Sequence, residues 1–388
     1  MPARTAEVLL IGCGAVGSVI ARHLCASDGI ENVVLADVDG DLAKRAASET
    51  RSPKSHAQRL DAGDEGALKE AMTGCGLVIN SAMPRFNRTI QKAALETGLH
   101  YLDLANDSSD PFTDTDAWRS AGLTALLGMG EDPGLSNIFA RYAADGMDRV
   151  ESIKVRDGDT ASSPEYPFIA LFSPETFVEE TLSPSRIWRD GAYEPVPPFG
   201  ESEVFEFPDP VGKQTVYSVD HEEADTLPRF IGKGVRYVDF KLALDPTTVQ
   251  SLKLFRDLHL LDRGPAGGPD PRRALFSRIP KPADLIGRVD GYAALVVEVA
   301  GDRGGERRTH TIYTVMGHRE AAKKFGTTAT AYVTGTGAAV GALLLASGVI
   351  TTRGKLSPEE LDPKPVFPLL RERGIEVRER VTTARALG

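Results

Sequence analysis

Gly12-Cys13-Gly14-Ala15-Val16-Gly17 stands between an apolar run, VLLI, and a helical pattern, SVIARHL. Glycines at this spacing, between a strand and a helix, suit the holding of a diphosphate against backbone amides. Gly12 permits the tight turn, Gly14 lets the backbone approach a pyrophosphate, and Gly17 lets the helix pack closely. Ala15 and Val16 open the helix whose N-terminal amides and positive end face the phosphates. A second apolar run, NVVLAD, ends at Asp37, twenty residues after Gly17. A carboxylate there accepts hydrogen bonds from the adenosine ribose and repels a 2′-phosphate. No arginine follows at once, Val38, Asp39 and Gly40 being next, so NAD is the expected cofactor. Further along, Asp61 and Ala62 are placed to touch adenine, and Asn80, Ser81 and Ala82 to edge the nicotinamide ribose. For Asp61 an ordinary helix cap is the alternative.

A hydride acceptor needs a partner chemistry. Oxidising a C–NH bond requires a neutral nitrogen and a group that takes its proton. The stretch LGMGEDPGLSN follows a strand-like run and puts Glu131 and Asp132 beyond a strand end, where Asp103 also lies. Asp103 and Asp132 are therefore candidate catalytic carboxylates, with simple helix capping as the other reading of Asp132. His221, next to Glu222 and Glu223, and Lys241 are the candidates from the second half; a packing histidine and a solvated edge-strand lysine are the alternatives. Arg229 could meet a substrate carboxylate. The seven histidines show no metal-ligand spacing, so no metal is expected, and none of Cys13, Cys25 and Cys75 has a CxxC partner.

The elements that must position these residues can be read from periodicity. Six short apolar segments alternate with helical ones up to residue 129, which is the pattern of a doubly wound parallel sheet. Residues 1–134 then form the dinucleotide-binding domain. Longer strand-like stretches follow, including GYAALVVEVAG and RRTHTIYTVM, which pair as a hairpin across DRGGE. A single clear helix opens at Asp245-Pro246. Residues 135–328 thus read as a mixed α+β domain for substrate binding and dimer contact. Residues 329–388 read as C-terminal helices returning to the first domain; the small residues of ATAYVTGTGAAVGALLLA either permit close packing or mark a helix start beside the cofactor, and SPEEL starts a helix. The run RGPAGGPDPRR is loop-like, and the tail beyond residue 377 is charged and exposed. Among 388 residues with a net charge of -10, nucleic acid is not an expected partner. The longest apolar run is too short to span a bilayer, and no signal peptide precedes the first strand, so a cytoplasmic enzyme is expected.

With these residues laid out, the chain resembles the saccharopine dehydrogenase-like family, which includes saccharopine reductase, lysine 6-dehydrogenase, carboxynorspermidine dehydrogenase and homospermidine synthase. The resemblance is carried by GCGAVGSVIARHL, VINSAMP, HYLDLAND, GMGEDPGLSN, the TLP at 226–228, and GTGAAVGALLLASGVI with GKLSPEEL. It implies a Rossmann domain interrupted by a mixed α/β substrate domain, and a homodimer. It also implies an oxidoreductase of lysine metabolism, acting on the CH–NH2 or CH–NH group of a lysine-like amino acid or amine. Lys241 is retained from the lysine 6-dehydrogenase pattern, whereas the arginine and histidine that follow there are replaced by the run Leu242 to Pro246. Two other readings stay open: an aminobutyl transferase resembling homospermidine synthase, with NAD recycled within one turnover, and a redox-silent NAD-binding protein. The ribose assignment predicts that Asp37→Ala combined with Val38→Arg moves the ratio of kcat/KM values toward NADP by about tenfold or more. An unchanged ratio would remove Asp37 from the ribose site.

Overall fold

The computed structural model describes residues 6–106, 110–264 and 270–384. In the first third the elements are β1 (Ala6–Ile11), α1 (Ala15–Cys25), β2 (Ile30–Asp37), α2 (Gly40–Thr50), β3 (Ser55–Arg59) and α3 (Glu65–Ala71). They continue with β4 (Leu77–Asn80), α4 (Asn87–Thr97), β5 (His100–Asp103), α5 (Thr115–Ser120), β6 (Thr124–Leu126) and α6 (Leu135–Asp145). Next come β7 (Arg149–Asp157), β8 (Thr160–Ser162), α7 (Pro174–Leu182), β9 (Ser185–Arg189), β10 (Ala192–Val196) and β11 (Glu203–Phe207). These lead to β12 (Gly212–Ser218), α8 (Glu223–Ile231), β13 (Tyr237–Ala243), α9 (Pro246–Asp257) and α10 (Pro271–Phe276). The long β14 (Asp290–Arg303) and β15 (Glu306–Gly317) precede α11 (His318–Phe325), α12 (Ala329–Ala346), β16 (Gly354–Leu356), α13 (Val366–Glu372) and β17 (Arg378–Ala384). Two compact units result: Met1–Tyr142 with Tyr332–Ile375, and Ala143–Ala331 with Glu376–Gly388. The chain passes between them three times, inside α6, inside α12 and in the segment between α13 and β17.

The first unit is a seven-stranded sheet in the order β16-β6-β5-β4-β1-β2-β3, and every pairing is parallel. Its strands are continuous apolar runs because both faces are covered; Val8 to Ile11, Val78, Ile79 and Leu102 are buried. Six strands match the sequence reading, though β4, β5 and β6 stop two or three residues sooner, where the rim loops begin. The seventh, β16, adds GKL from the far end of the chain beside β6. Three residues with a lysine at the centre carry no periodicity that could announce a strand. SPEEL forms a single 3-10 turn, Pro358–Glu360, closed by Ser357 and Glu360. Pro363 and Pro365 follow, and neither can donate the amide a longer helix needs.

The second unit holds a ten-stranded mixed sheet, β10-β9-β13-β7-β14-β15-β17, with β11 and β12 joined through β13 and β8 through β14. Only β7 and β13 among these strands pair in parallel. The β14–β15 hairpin closes through Gly304 and Gly305, both at positive φ, which is the geometry that matches strand twist. The expectation of one helix here is corrected: α7, α8, α10 and α11 accompany α9. Helix α8 escaped because Pro228 lies inside it and its first turn is a carboxylate run. The tail beyond residue 377 is exposed as expected but is ordered as β17, paired with β15. Residues 265–269 of the loop-like run at 263–273, and Asp107 of HYLDLAND, lie outside the described residues.

The glycines of α12 settle its two readings in favour of close packing. A Cβ on Gly335 would lie 2.9 Å from the Val16 carbonyl, on Gly337 2.3 Å from the Gly130 carbonyl, and on Gly341 2.6 Å from the Met129 side chain. By length and composition α12 could cross a membrane, but 83% of it is buried within the protein. Its apolarity serves packing. Gly337→Ala is expected to destabilise the protein by about 1–3 kcal/mol, since overpacking against backbone outweighs the helix-propensity gain of roughly 1 kcal/mol. Denaturant unfolding measures it, with Gly29→Ala, which meets nothing within 4 Å, as the silent comparison.

Candidate functional site

The rim at the carboxyl ends of the first unit's strands is built from backbone. Gly12 takes φ +96°, and a Cβ there would stand 2.6 Å from the Ala82 nitrogen. A Cβ on Gly17 would stand 2.0 Å from the Gly12 carbonyl. Strand β4, the loop and α1 therefore touch main chain to main chain. Ser81 fixes the contact, its hydroxyl donating to the Gly12 carbonyl at 2.7 Å. Gly14 differs from both: space around it is open to 4 Å. It precedes α1, whose first turn has no side-chain cap and no acidic residue. Open room beside uncapped amides fits a diphosphate. Ala15 and Val16 lie in that first turn.

Asp37 ends β2 and draws the loop to itself, accepting from Cys13 N–H at 2.9 Å and Asp39 N–H at 2.9 Å. Burial, with the Asp37 charge second, pushes the Cys13 thiol up to about 12, so the thiol stays protonated and inert. Val38 is exposed and borders a cavity of about 410 Å³ with Asp39, Gly40, Lys44 and Arg59. Sequence reading found no arginine near Asp37, yet Arg59 sits opposite it in the β2–β3 register and donates to the Val38 carbonyl. Asp61 accepts from Gly63 N–H in a turn of its own, beside buried Ala62. The cap of α3 is Asp64, so the capping alternative for Asp61 falls away.

Asn80 lies beneath the rim. Its side chain, 2% exposed, donates to Asn87 and accepts from Ala82 N–H. Tyr101 continues this buried network to Asp103, donating to Oδ2 at 2.9 Å, while Gly128 N–H donates to Oδ1 at 2.7 Å. Desolvation and the Asp103 charge hold the Tyr101 hydroxyl well above its ordinary range. Asp103 thus supports the turn at 128–134 from below instead of lining open space. Within that turn Glu131 is buried and Asp132 half-buried, and Gly130 N–H donates to the Pro133 carbonyl. Asn137, at the start of α6, accepts from Gly134 N–H and donates to Glu359. Glu359 was missed in the sequence because its partner lies 222 positions away.

In the second unit the two candidates separate. His221 stacks on Phe240 at 3.8 Å and bonds Glu223, while Lys241 lies 3.2 Å from Glu203 and 3.5 Å from Asp239. Phe240 and Lys241 are consecutive on β13, so their side chains leave opposite faces. One site cannot use both directly. Lys241 is neither solvated nor on an edge strand. It belongs to a buried ion cluster in which Arg156, 1% exposed, grips Asp239 through two nitrogens at 2.8 and 2.9 Å. His221, Glu222 and Glu223 bring their donor atoms within 4.8 Å of one another, but Nδ1 is already bonded to Glu223, which makes the group an ion pair.

Comparison with known proteins covers both units. Residues 8–126 match the saccharopine dehydrogenase NADP binding domain and residues 130–375 the saccharopine dehydrogenase C-terminal domain. Carboxyaminopropylagmatine dehydrogenase of Synechocystis sp. is 27% identical over 392 residues, covering 97% of this chain and 98% of that protein. Carboxynorspermidine synthase of Vibrio cholerae is 28% identical over 410 residues, covering 95% of each. The structure of Saccharomyces cerevisiae saccharopine dehydrogenase (L-Glu forming) superposes with a TM-score of 0.75 at 18% identity, covering 97% of this chain and all of that one.

The His221 cluster carries a pH signature. Burial pulls the imidazole down, but Glu223, Glu222 and Glu180 outweigh it and push the pKa up to about 10 from 6.5. Desolvation raises Glu180 from 4.5 to about 8, with the His221 charge opposing and Glu222, Glu223 and Asp220 reinforcing. Both groups bind protons more tightly when folded, so their stabilisation is complete below the unfolded pKa and is lost as pH rises through the folded one. Unfolding free energy is expected to fall between about pH 5 and about pH 10 more steeply in the wild type than in a His221→Asn/Glu180→Gln variant. Parallel pH profiles for the two proteins would contradict the cluster's role.

Proposed function

The chain belongs to the saccharopine dehydrogenase family, and on that premise we propose that its substrate is a carboxylated polyamine, oxidised or formed at a CH–NH bond. The family places it among oxidoreductases that bind a nicotinamide cofactor in the first unit. What carries the finer reading is that full-length relatives from Synechocystis and from Vibrio are both named for carboxylated polyamines. The lysine-like substrate suggested by the sequence is the narrower alternative, and the altered run from Leu242 to Pro246 speaks against lysine itself. NAD is preferred in this reading because Asp37 repels a 2′-phosphate, although Arg59 and Lys44 border the same side. A homodimer completes the reading, as the resemblance implies.

When bound, the nicotinamide accepts or returns a hydride at the carbon of the C–N bond. The residues of the chain do the rest. The α1 amides and the space at Gly14 hold the diphosphate, and Asp37 takes a ribose hydroxyl. In the oxidative direction Asp132 receives the proton of the substrate nitrogen, leaving a C=N bond that water splits into a carbonyl and a free amine. Asp103 positions the Asp132 turn through Gly128 N–H.

The test supplies NAD with carboxynorspermidine, carboxyaminopropylagmatine, saccharopine and lysine in turn and follows NADH. The carboxylated polyamines should exceed saccharopine and lysine in kcat/KM by about tenfold or more. A better rate on saccharopine or lysine overturns the proposal. Exchange of amine groups without net NADH would establish the aminobutyl transferase instead.

A further inference from the structure

The second unit contains a cavity of about 500 Å³ beyond the carboxyl ends of β7 and β13. Its walls include Tyr166, Ile169, Leu171, Phe172 and Phe177, so they suit a methylene chain. Among the described residues no lysine, arginine or histidine lines it, whereas Asp159, Asp245 and Asp290 do. These three carboxylates are not equivalent. Asp290 is paired with Arg319 through both oxygens, and Asp245 caps α9 by accepting from Thr247 and Thr248 N–H. Among the described residues Asp159 accepts only from neutral donors, the Ala294 N–H at 3.2 Å and the Thr330 hydroxyl. Asp157 lies beside it and accepts the Asp159 N–H at 2.8 Å.

The adjoining sheet pairs its buried acid: Asp239 has Arg156 and Lys241. Asp159 has acidic company and, among the described residues, no cation. Desolvation, with Asp157 adding repulsion, pushes its carboxyl well above the ordinary carboxylate range. A desolvated carboxylate facing aromatic walls is short of one partner, a cation. An alkylammonium group supplies that charge and lays its methylenes along Phe172 and Phe177, with a cation–π contribution from Tyr166.

We propose that this cavity binds the alkylammonium chain of a polyamine, with Asp159 as the ionic anchor and the aromatic wall as the measure of chain length. The assignment rests on the carboxylated-polyamine reading for its place in catalysis, but it concerns binding and is testable without turnover. It requires a ligand with an ammonium group at the end of a run of methylenes. Saccharopine, whose lysine end carries a carboxylate beside its ammonium, would bring like charge to Asp159 along with the cation and be disfavoured.

The experiment titrates 1,4-diaminobutane and agmatine into the full-length protein by calorimetry and repeats this with Asp159→Asn, Phe172→Ala and, as an exposed charge-matched control in the first unit, Asp28→Asn. Thermal unfolding and NADH binding verify that each variant is folded. Saturable binding by the wild type and by Asp28→Asn, weakened about tenfold or more in Asp159→Asn, is the expected result. If Asp159→Asn does not fold, Phe172→Ala carries the test by the same threshold. Amine binding within twofold of wild type in the folded variant overturns the assignment, as does turnover of a carboxylated polyamine with an unchanged KM in Asp159→Asn. Amine binding that depends on Asp159, without any nicotinamide turnover, keeps the pocket and sinks the reaction proposed above.

Discussion

The first unit depends on main-chain atoms meeting where side chains would ordinarily intervene. Gly12 abuts Ser81 and Ala82, Gly17 abuts the Gly12 carbonyl, and Gly337 abuts the Gly130 carbonyl. Each contact leaves no room for a methyl group. Together they draw β1, β4, α1, the turn after β6 and α12 into one tight rim. Gly14 stands apart as a glycine with open space, and the proposed diphosphate site lies there. A glycine pressed by neighbours serves packing; a glycine facing emptiness in the same loop serves an occupant.

Under that rim the polar groups form a chain with its own logic. Asn80, Asn87, Tyr101 and Asp103 are buried, and each bonds the next. A buried carboxylate is costly unless donors surround it. Asp103 meets this demand with a hydroxyl and a backbone amide, and the amide belongs to the turn that presents Asp132. A residue that looks catalytic in sequence can therefore act one step away, by fixing the geometry of the turn that carries the proposed proton acceptor. Strand end, carboxylate and nearby glycine are the same three signs in both cases, so sequence alone could not separate Asp103 from Asp132.

How much could be read in advance follows from the range of the forces involved. The glycine loop, Asp37, α4, the Asp245 cap and the β14–β15 hairpin are settled by residues within a few tens of positions, and local pattern announced them. Partners of Asn137 and Asp159 come from 222 and 171 positions away, beyond any local pattern. Helix α8 and strand β16 were hidden for a different reason: tertiary contacts override a proline in one and a three-residue length in the other. The buried Arg156–Asp239 pair was equally silent, because charged residues on a strand read as its solvated face until something covers them.

The two units meet ligands in different materials, and this decides what is legible about function. A dinucleotide is gripped by amides and by absent side chains, so its site leaves glycines at fixed spacing, which few substitutions can replace. An amine tail would be gripped by side chains on separate elements, in the proposed pocket an aspartate after β7 and aromatic residues before and within α7. Such residues follow the shape of the cavity they line and not a fixed spacing along the chain. Relatives at 27–28% identity can therefore share the first grip entirely and differ in the second. The cofactor class was readable from six consecutive residues together with the strand before them, the helix after them and Asp37 at the end of the next strand. The proposed amine pocket had to wait for the one carboxylate lining it that, among the described residues, neither caps a helix nor pairs with a cation.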